Sequence, residues 1–152
     1  MIIDAFIYSD EIELLELRFK YLKEKIDCFV LICGSHFFTG GNKENTYKNE
    51  IELAHTIGVP LIIKEVEFKK SLIFRIYKRF YKRRLHYFSE TYQRKMGLEF
   101  IKANFSKNDI LIFSDIDEFP SKNFLDNNIE SIGDEETRVL MYLSNYAYYY
   151  VD

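Results

Sequence analysis

The chain has 152 residues, a length that predicts one domain with a sizeable core. With 47% hydrophobic residues, including 14 Phe and 12 Tyr, the composition excludes a disordered chain. The formal net charge is only −3, but eight basic residues and no acidic one fall between Phe68 and Ser89.

The N-terminal part of the chain predicts alternating strands and helices. It opens on an apolar strand pattern, without the basic start of a secretory signal, and no stretch is long enough to span a bilayer. Ser9 or Asp10 is expected to cap the first helix, and Gly58 to end the second. The predicted elements are a strand over 2–8, a helix to about Lys25, a strand over 27–33, a helix over 48–57 and a strand over 61–66.

The C-terminal part continues this alternation. Its predicted elements are a helix from about Ser89 to Asn104, a strand over 108–114, a helix over 121–132 opened by Ser121, and a tyrosine-rich strand over 138–151. The order predicts a single α/β domain, residues 1–152, with a mostly parallel sheet flanked by helices. Because no helix pattern follows the last strand, we expect half of a larger catalytic domain or a compact version of one.

The two cysteines bear on the cellular compartment. Cys28 and Cys33 lie in one predicted strand, and strand alternation places them on opposite faces, a poor geometry for a disulfide. We therefore expect two buried free thiols, which are typical of a reducing compartment. Together with the N-terminal pattern, this predicts a soluble cytoplasmic protein.

An acidic motif, Asp115-Ile116-Asp117-Glu118, directly follows the predicted strand over 108–114. Carboxylates two residues apart at a strand end are expected to point the same way, which suits a divalent cation that carries phosphate. Open α/β sheets also bind ligands at the ends of their strands. The ordinary alternative is a polar loop whose acidic side chains simply face solvent.

The same motif raises the alternative of a phosphatase. Haloacid-dehalogenase-type phosphatases carry Asp-x-Asp after a strand, and Asp115 would then be the nucleophile. Those motifs usually continue to Thr or Val and lie on the first strand of the domain. Here position 119 is Phe and the motif follows roughly the fourth strand, which disfavours a phosphatase.

The acidic motif and three further segments together resemble glycosyltransferase family 17, the β-1,4-mannosyl-glycoprotein N-acetylglucosaminyltransferase family. The motif with its strand is similar to the metal motif of that family. The other similar segments, in the same order, are Glu11–Arg18 in the first helix, Phe38-Thr39-Gly40 after the second strand, and Tyr92-Gln93-Arg94 with Gly97-Leu98 before the motif. They span this chain, which corresponds to the N-terminal, donor-binding half of a typical member.

The resemblance implies a GT-A-like fold and a nucleotide diphosphate-sugar donor, with a UDP-sugar expected, together with Mn²⁺ or Mg²⁺. It implies inverting transfer of a sugar such as N-acetylglucosamine to a glycan or lipid-linked acceptor. Asp117 would bind the metal directly, and Asp115 would hold the donor ribose or the metal through water. The metal would neutralise the diphosphate leaving group, and Glu118 would be a third acidic contact or a supporting group.

The remaining candidate donor-binding residues are Tyr8, Glu11, Gln93 and Arg94. Arg94 would fix the diphosphate with Gln93 beside the donor, and Glu11 lies just past strand one, where nucleotides bind in such folds. The alternative for Arg94 is a surface arginine on an amphipathic helix. Glu16 and Arg18 are expected to make structural ion pairs.

Two departures from the family pattern limit these expectations. Cys33 stands where the family often has an acidic residue that could bind the donor base, so the nucleotide stays open. Inverting transfer also needs a carboxylate base for the acceptor hydroxyl, and no acidic residue after the motif stands in a recognisable pattern. No catalytic base is therefore assigned, and a non-catalytic binding module remains an alternative.

The basic segment Lys69–Arg84 interleaves basic with apolar and aromatic side chains. It is a candidate for peripheral contact with an anionic membrane, and the alternative is the solvated face of a core helix. No nucleic-acid motif accompanies it. The three histidines show no metal-ligand spacing.

Overall fold

The computed structural model describes residues 1–35, 46–68, 79 and 85–127. Its elements are β1 (Ile2–Tyr8), α1 (Ile12–Leu22), β2 (Cys28–Gly34), α2 (Lys48–Ile57), β3 (Leu61–Val66), α3 (Leu85–Asn104), β4 (Ile110–Asp115) and α4 (Lys122–Asn127). The predicted strand over 138–151, the Phe38-Thr39-Gly40 segment and most of Lys69–Arg84 lie outside the described residues. Among the helices described, none is long and apolar enough to cross a membrane.

The four strands form one parallel sheet in the order β3-β2-β1-β4. This confirms the predicted α/β fold with a parallel sheet flanked by helices. From β1 the chain adds β2 and then β3 on one side, whereas β4 joins β1 on the other side. The strand order therefore reverses between β1 and β4, with Ile7 paired to Asp115 at the carboxyl ends of the two strands. In open α/β sheets this reversal point is where ligands bind.

Helices cover the sheet on both faces, which explains why the central strands are nearly continuous apolar runs. One face of β1 packs Phe6 and Tyr8 with α1 and α2, and the other packs Ile7 with α3. Cys28 and Cys33 are both buried, form no disulfide and lie in the cores of opposite faces, as predicted. Burial raises the pKa of the Cys28 thiol, and the nearby charge of Asp27 adds to this effect.

Helix α3 approaches β2 closely because Gly97 has no side chain. A Cβ atom at Gly97 would lie 3.0 Å from two side-chain carbons of Ile32. One turn earlier, the buried Gln93 amide donates a hydrogen bond of 2.5 Å to the Ile32 carbonyl oxygen. This packing places the first half of α3, including Glu90 and Arg94, near the carboxyl ends of the strands.

The helix ends agree only in part with the prediction. Gly58, at φ +79°, ends α2 as expected. Ser121 accepts a hydrogen bond from the Phe124 backbone N–H at 3.1 Å, which fits the predicted start of α4. The predicted cap of α1 is wrong, because the helix begins after Glu11 without a side-chain capping bond. Helix α3 begins at Leu85, four residues before the predicted Ser89.

Candidate active site

A cavity of about 280 Å³ lies where the strand order reverses. It is lined by Ile7, Ser9, Glu11, Leu14, Glu90, Asp115, Ile116 and Asp117. A larger cavity of about 390 Å³ lies between α2 and β3 and is lined by Ile51, Ala54, His55, Val59, Leu61 and Ile63. The larger one is mostly apolar and contains none of the predicted site residues, so the smaller cavity is the candidate active site.

Asp115 and Asp117, the two aspartates of the acidic motif, both line this cavity. Asp115 is the last residue of β4, and Asp117 follows in the turn after the strand. Each is partly accessible to solvent, with 38% of the Asp115 side chain exposed. A bound ligand in the cavity could therefore reach both carboxylates.

Arg94 brings a positive charge next to the motif. Its Nη2 atom lies 2.5 Å from Asp115 Oδ1 and 3.2 Å from Glu90 Oε1, so one guanidinium bridges two cavity carboxylates. Burial acts to lower the pKa of Arg94, but the charges and hydrogen bonds of Asp115 and Glu90 outweigh it, and the net pKa is raised. Arg94, for which a surface arginine on an amphipathic helix was the alternative, thus makes a charged contact with the motif itself.

Glu118 faces the backbone of the motif. Its carboxylate accepts a hydrogen bond from the Asp115 backbone N–H at 3.2 Å, and its own N–H donates to the Asp115 carbonyl at 3.1 Å. These two hydrogen bonds join the first and last residues of the turn, Asp115 and Glu118. Of the two roles expected for Glu118, this placement corresponds to the supporting group.

Arg18 supports the same turn from α1, a connection that the sequence did not specify. The guanidinium pairs with Asp4 at 2.7 Å and contacts three backbone carbonyl oxygens of the turn at 2.9–3.0 Å. Both charged side chains are fully buried. An aspartate inside the apolar run of β1 was the available signal, because a buried carboxylate requires a partner. The expected Glu16 ion pair is also present, with Lys20 at 2.6 Å.

The other predicted donor contacts occupy different environments. Glu11 lines the cavity and accepts a hydrogen bond from the Ser9 backbone N–H at 2.8 Å. Tyr8 is only 1% exposed, and its hydroxyl donates to Glu50 at 2.9 Å on the α2 side of the sheet. Burial, followed by the hydrogen bond to Glu50, raises the pKa of Tyr8. Gln93 is likewise buried and bonded to β2. Of the four, therefore, Glu11 lines the cavity, and Arg94 contacts two carboxylates that line it.

The described residues offer few ligands for a metal ion at the cavity. Within residues 1–35, 46–68, 79 and 85–127, no three carboxylate, imidazole or thiolate groups lie close enough together to hold a metal ion. Asp126, one of the acidic residues after the motif, forms an ion pair with Lys25 and does not line the cavity. Glu130 and the later acidic residues lie outside the described part of the chain.

Comparison with known proteins identifies a family for this chain. The model of glycosyltransferase family 17 matches residues 1–151, essentially the whole chain. No significant match is found among curated proteins or among solved structures. The family match agrees with the resemblance carried by the four sequence segments and decides against a phosphatase. The chain therefore belongs to glycosyltransferase family 17 and is a glycosyltransferase.

Proposed function

We propose that this glycosyltransferase uses a nucleotide diphosphate-sugar, with a UDP-sugar as the expected donor, and depends on Mn²⁺ or Mg²⁺. The acceptor would be a hydroxyl of a glycan or of a lipid-linked saccharide. The observation that carries the proposal is the position of Asp115 and Asp117 on one cavity at the reversal of strand order. Sheets of this type bind nucleotides at that position.

The carboxylates at the cavity fit a hard divalent cation. Mg²⁺ is commonly bound by one or two carboxylates together with substrate phosphates and water, so a cluster of three protein ligands is not required. Asp117 would hold the metal directly, and Asp115 would hold it directly or through water. When bound, the metal would supply positive charge to the diphosphate leaving group.

Arg94 and Glu11 would bind the rest of the donor. The Arg94 guanidinium has planar N–H groups that match phosphate oxygens, and it already lies beside Asp115. Glu11, which lines the same cavity directly before α1, would accept hydrogen bonds from sugar or ribose hydroxyls. Glu118 would keep the motif in place through its hydrogen bonds to Asp115.

The stereochemistry of sugar transfer is expected on different grounds. Inverting transfer is expected from the family resemblance alone, and it requires a base that removes the acceptor proton. Asp126 is engaged with Lys25, so the proposal gives it no catalytic part. The proposal therefore covers how the donor is held and how its leaving group is neutralised.

The test is Asp117→Asn, which removes a negative ligand while keeping the side-chain shape. We expect calorimetric affinity for nucleotide plus Mn²⁺ to fall by at least about 100-fold, since even loss of a group that only orients a metal ligand costs about 10–100-fold. Far-ultraviolet circular dichroism should be unchanged because Asp117 is partly exposed.

Asp126→Asn is the matched control, because it makes the same chemical change on an exposed residue outside the cavity. It should bind nucleotide and Mn²⁺ as the wild type does. Binding by Asp117→Asn that equals the control would contradict the proposed donor site. Sugar transfer from a panel of nucleotide sugars, measured with and without EDTA, then tests the metal dependence of the reaction itself.

A further inference from the structure

We propose that Arg18 is a positioning residue of the active site, which fixes the backbone of residues 115–118 and thereby the directions of Asp115 and Asp117. Its meaning for catalysis rests on the proposed donor site. Arg18 contacts neither carboxylate of the motif, so it acts through the backbone that carries them.

The guanidinium contacts Asp4, the hydroxyl of Ser114 and the backbone of the turn. Nε and Nη2 each lie 2.7 Å from one oxygen of Asp4, and Nη2 also lies 2.7 Å from Ser114 Oγ. Nη1 contacts only carbonyl oxygens of the turn: Asp115 at 2.9 Å, Ile116 at 3.0 Å and Glu118 at 2.9 Å. A guanidinium has five N–H groups, and all of this capacity is used here.

Three carbonyls directed at one nitrogen constrain the turn strongly. Each carbonyl fixes the plane of its peptide unit, and the planes around Asp115 and Asp117 set where their side chains leave the backbone. The aromatic rings of Phe6 and Phe119 lie 4.3 Å and 5.4 Å from the guanidinium carbon. The turn is thus held against a buried, immobilised cation and not only by its own hydrogen bonds.

A purely structural role would leave part of this arrangement unexplained. Neutralising Asp4 requires only the two nitrogens that face it, and buried ion pairs can often be replaced by apolar side chains without loss of stability. Nη1 makes no hydrogen bond to Asp4 and binds the turn instead. The arrangement therefore suits fixing a loop better than stabilising a core.

The test separates stability from positioning by removing both charges together. The double variant Asp4→Leu/Arg18→Met replaces the ion pair by apolar side chains and frees the three carbonyls. Asp4→Asn is the matched control, because the asparagine keeps the size of the side chain and one oxygen that can accept from the guanidinium, while Arg18 stays in contact with the turn; its folding is checked by circular dichroism as well. If the double variant fails to fold by circular dichroism, Arg18→Lys takes its place, since lysine keeps the charge beside Asp4 with one nitrogen.

The first readout is hydrogen exchange of the Asp115 and Glu118 amides, both bonded within the turn. In the double variant we expect exchange at least about tenfold faster than in the control, as loss of a charge-assisted hydrogen bond allows. Amides of β2 should be unaffected. Unchanged exchange in the turn would overturn the proposal, whether or not the wild type binds a donor.

The second readout is the affinity of the folded variants for a UDP-sugar with Mn²⁺. We expect at least about a tenfold loss in the double variant and wild-type affinity in Asp4→Asn, since misplaced ligands bind the metal poorly. Equal affinity in both would also overturn the positioning role. Absence of binding by the wild type would instead contradict the proposed donor site, so the two failures are distinguishable.

Discussion

Buried polar side chains of β1 decide much of the local structure on the α1 and α2 side of the sheet. Asp4 and Tyr8 share that face with Phe6, and each faces a partner from a helix: Arg18 for Asp4 and Glu50 for Tyr8. Burying such a group without a partner costs several times more than a paired one contributes. These pairs therefore fix which helix residues must face the strand.

The Tyr8–Glu50 pair gives a prediction for stability. Glu50 is only 8% exposed, so Tyr8→Phe would leave its carboxylate without a hydroxyl donor while keeping the packing of the ring. We expect the free energy of unfolding, measured by urea denaturation, to fall by about 1–3 kcal/mol. Affinity for a UDP-sugar with Mn²⁺ should stay within about twofold of wild type, because Tyr8 does not line the cavity.

Tyr87→Phe is the control for this change, because the Tyr87 side chain is 75% exposed. Its stability should stay within about 0.5 kcal/mol of the wild type. If Tyr8→Phe instead loses donor affinity at unchanged stability, Tyr8 contacts the donor, as the sequence predicted, and the pairing with Glu50 is secondary.

At the scale of elements, the packing of α3 on β2 sets how near Arg94 comes to the motif. Gly97 and Gln93 both form this contact with Ile32. The backbone of Gly97 lies close to the Ile32 side chain, and the Gln93 amide donates a hydrogen bond to the Ile32 carbonyl oxygen. A larger residue at position 97 would push the helix away from the strand. The geometry of the site therefore depends on a residue that lies in the core and not in the cavity.

Gly97→Ala tests this contact. Alanine favours a helix by about 1 kcal/mol over glycine, but its Cβ would lie 3.0 Å from branch carbons of the fully buried Ile32. Such overpacking costs about 1–3 kcal/mol, so we expect a net loss of stability in chemical denaturation. In an Ile32→Ala background the clash is absent, and there Gly97→Ala should stabilise the protein.

A stabilising effect of Gly97→Ala in the wild-type background would show that Ile32 moves aside without cost. The comparison requires all four members of the double-mutant cycle, since residues in contact are not additive. Gly58→Ala provides a contrast. There a Cβ meets nothing within 4 Å, and any loss comes from the left-handed backbone at φ +79°.

The bounds of the elements also show where sequence patterns are sufficient to predict the structure. Strand β3 and helix α2 have the predicted bounds, because Gly58 and Pro60 interrupt the chain between them. The start of α1 was mispredicted, since Ser9 donates its backbone N–H to Glu11 and does not cap the helix. The sequence pattern places Ser9 and Asp10 before the helix but does not show that Glu11 binds this backbone N–H.

At the scale of the whole molecule, the site joins residues that are distant in sequence. Glu11, Arg94 and Asp115 come from three separate segments. Glu11 and Asp115 line one cavity because β4 pairs with β1, and Arg94 reaches Asp115 because α3 packs on β2. The family segments predicted these residues individually. The contacts of Arg18 with the turn could not be predicted in the same way. Their geometry follows from the register between β1 and β4 and from the way α1 packs on the sheet.

The two thiols report on the stability of the whole sheet. Cys28 and Cys33 lie on opposite faces of β2, which is paired to β1 and β3, so a reagent can reach both only after the sheet opens. Burial also raises the pKa of Cys28 and lowers its thiolate fraction. We expect labelling by a disulfide reagent to be at least about a thousandfold slower in native protein than in urea, as ordinary domain stability implies.

Donor binding should slow this labelling further, because a ligand that binds only the folded state lowers the unfolded fraction by the factor 1 + [L]/Kd. With saturating Mn²⁺ and a UDP-sugar at about a hundred times its Kd, labelling should slow by about 100-fold. The thiols of Asp117→Asn should be labelled at the wild-type rate without ligand, and the ligand should no longer slow this labelling. Slowing that persists in this variant would place the donor away from Asp117. If the ligand slows the labelling of Cys28 but leaves the labelling rate of Cys33 constant, the reagent reaches Cys33 through a local opening. Ligand binding at the cavity does not suppress such an opening.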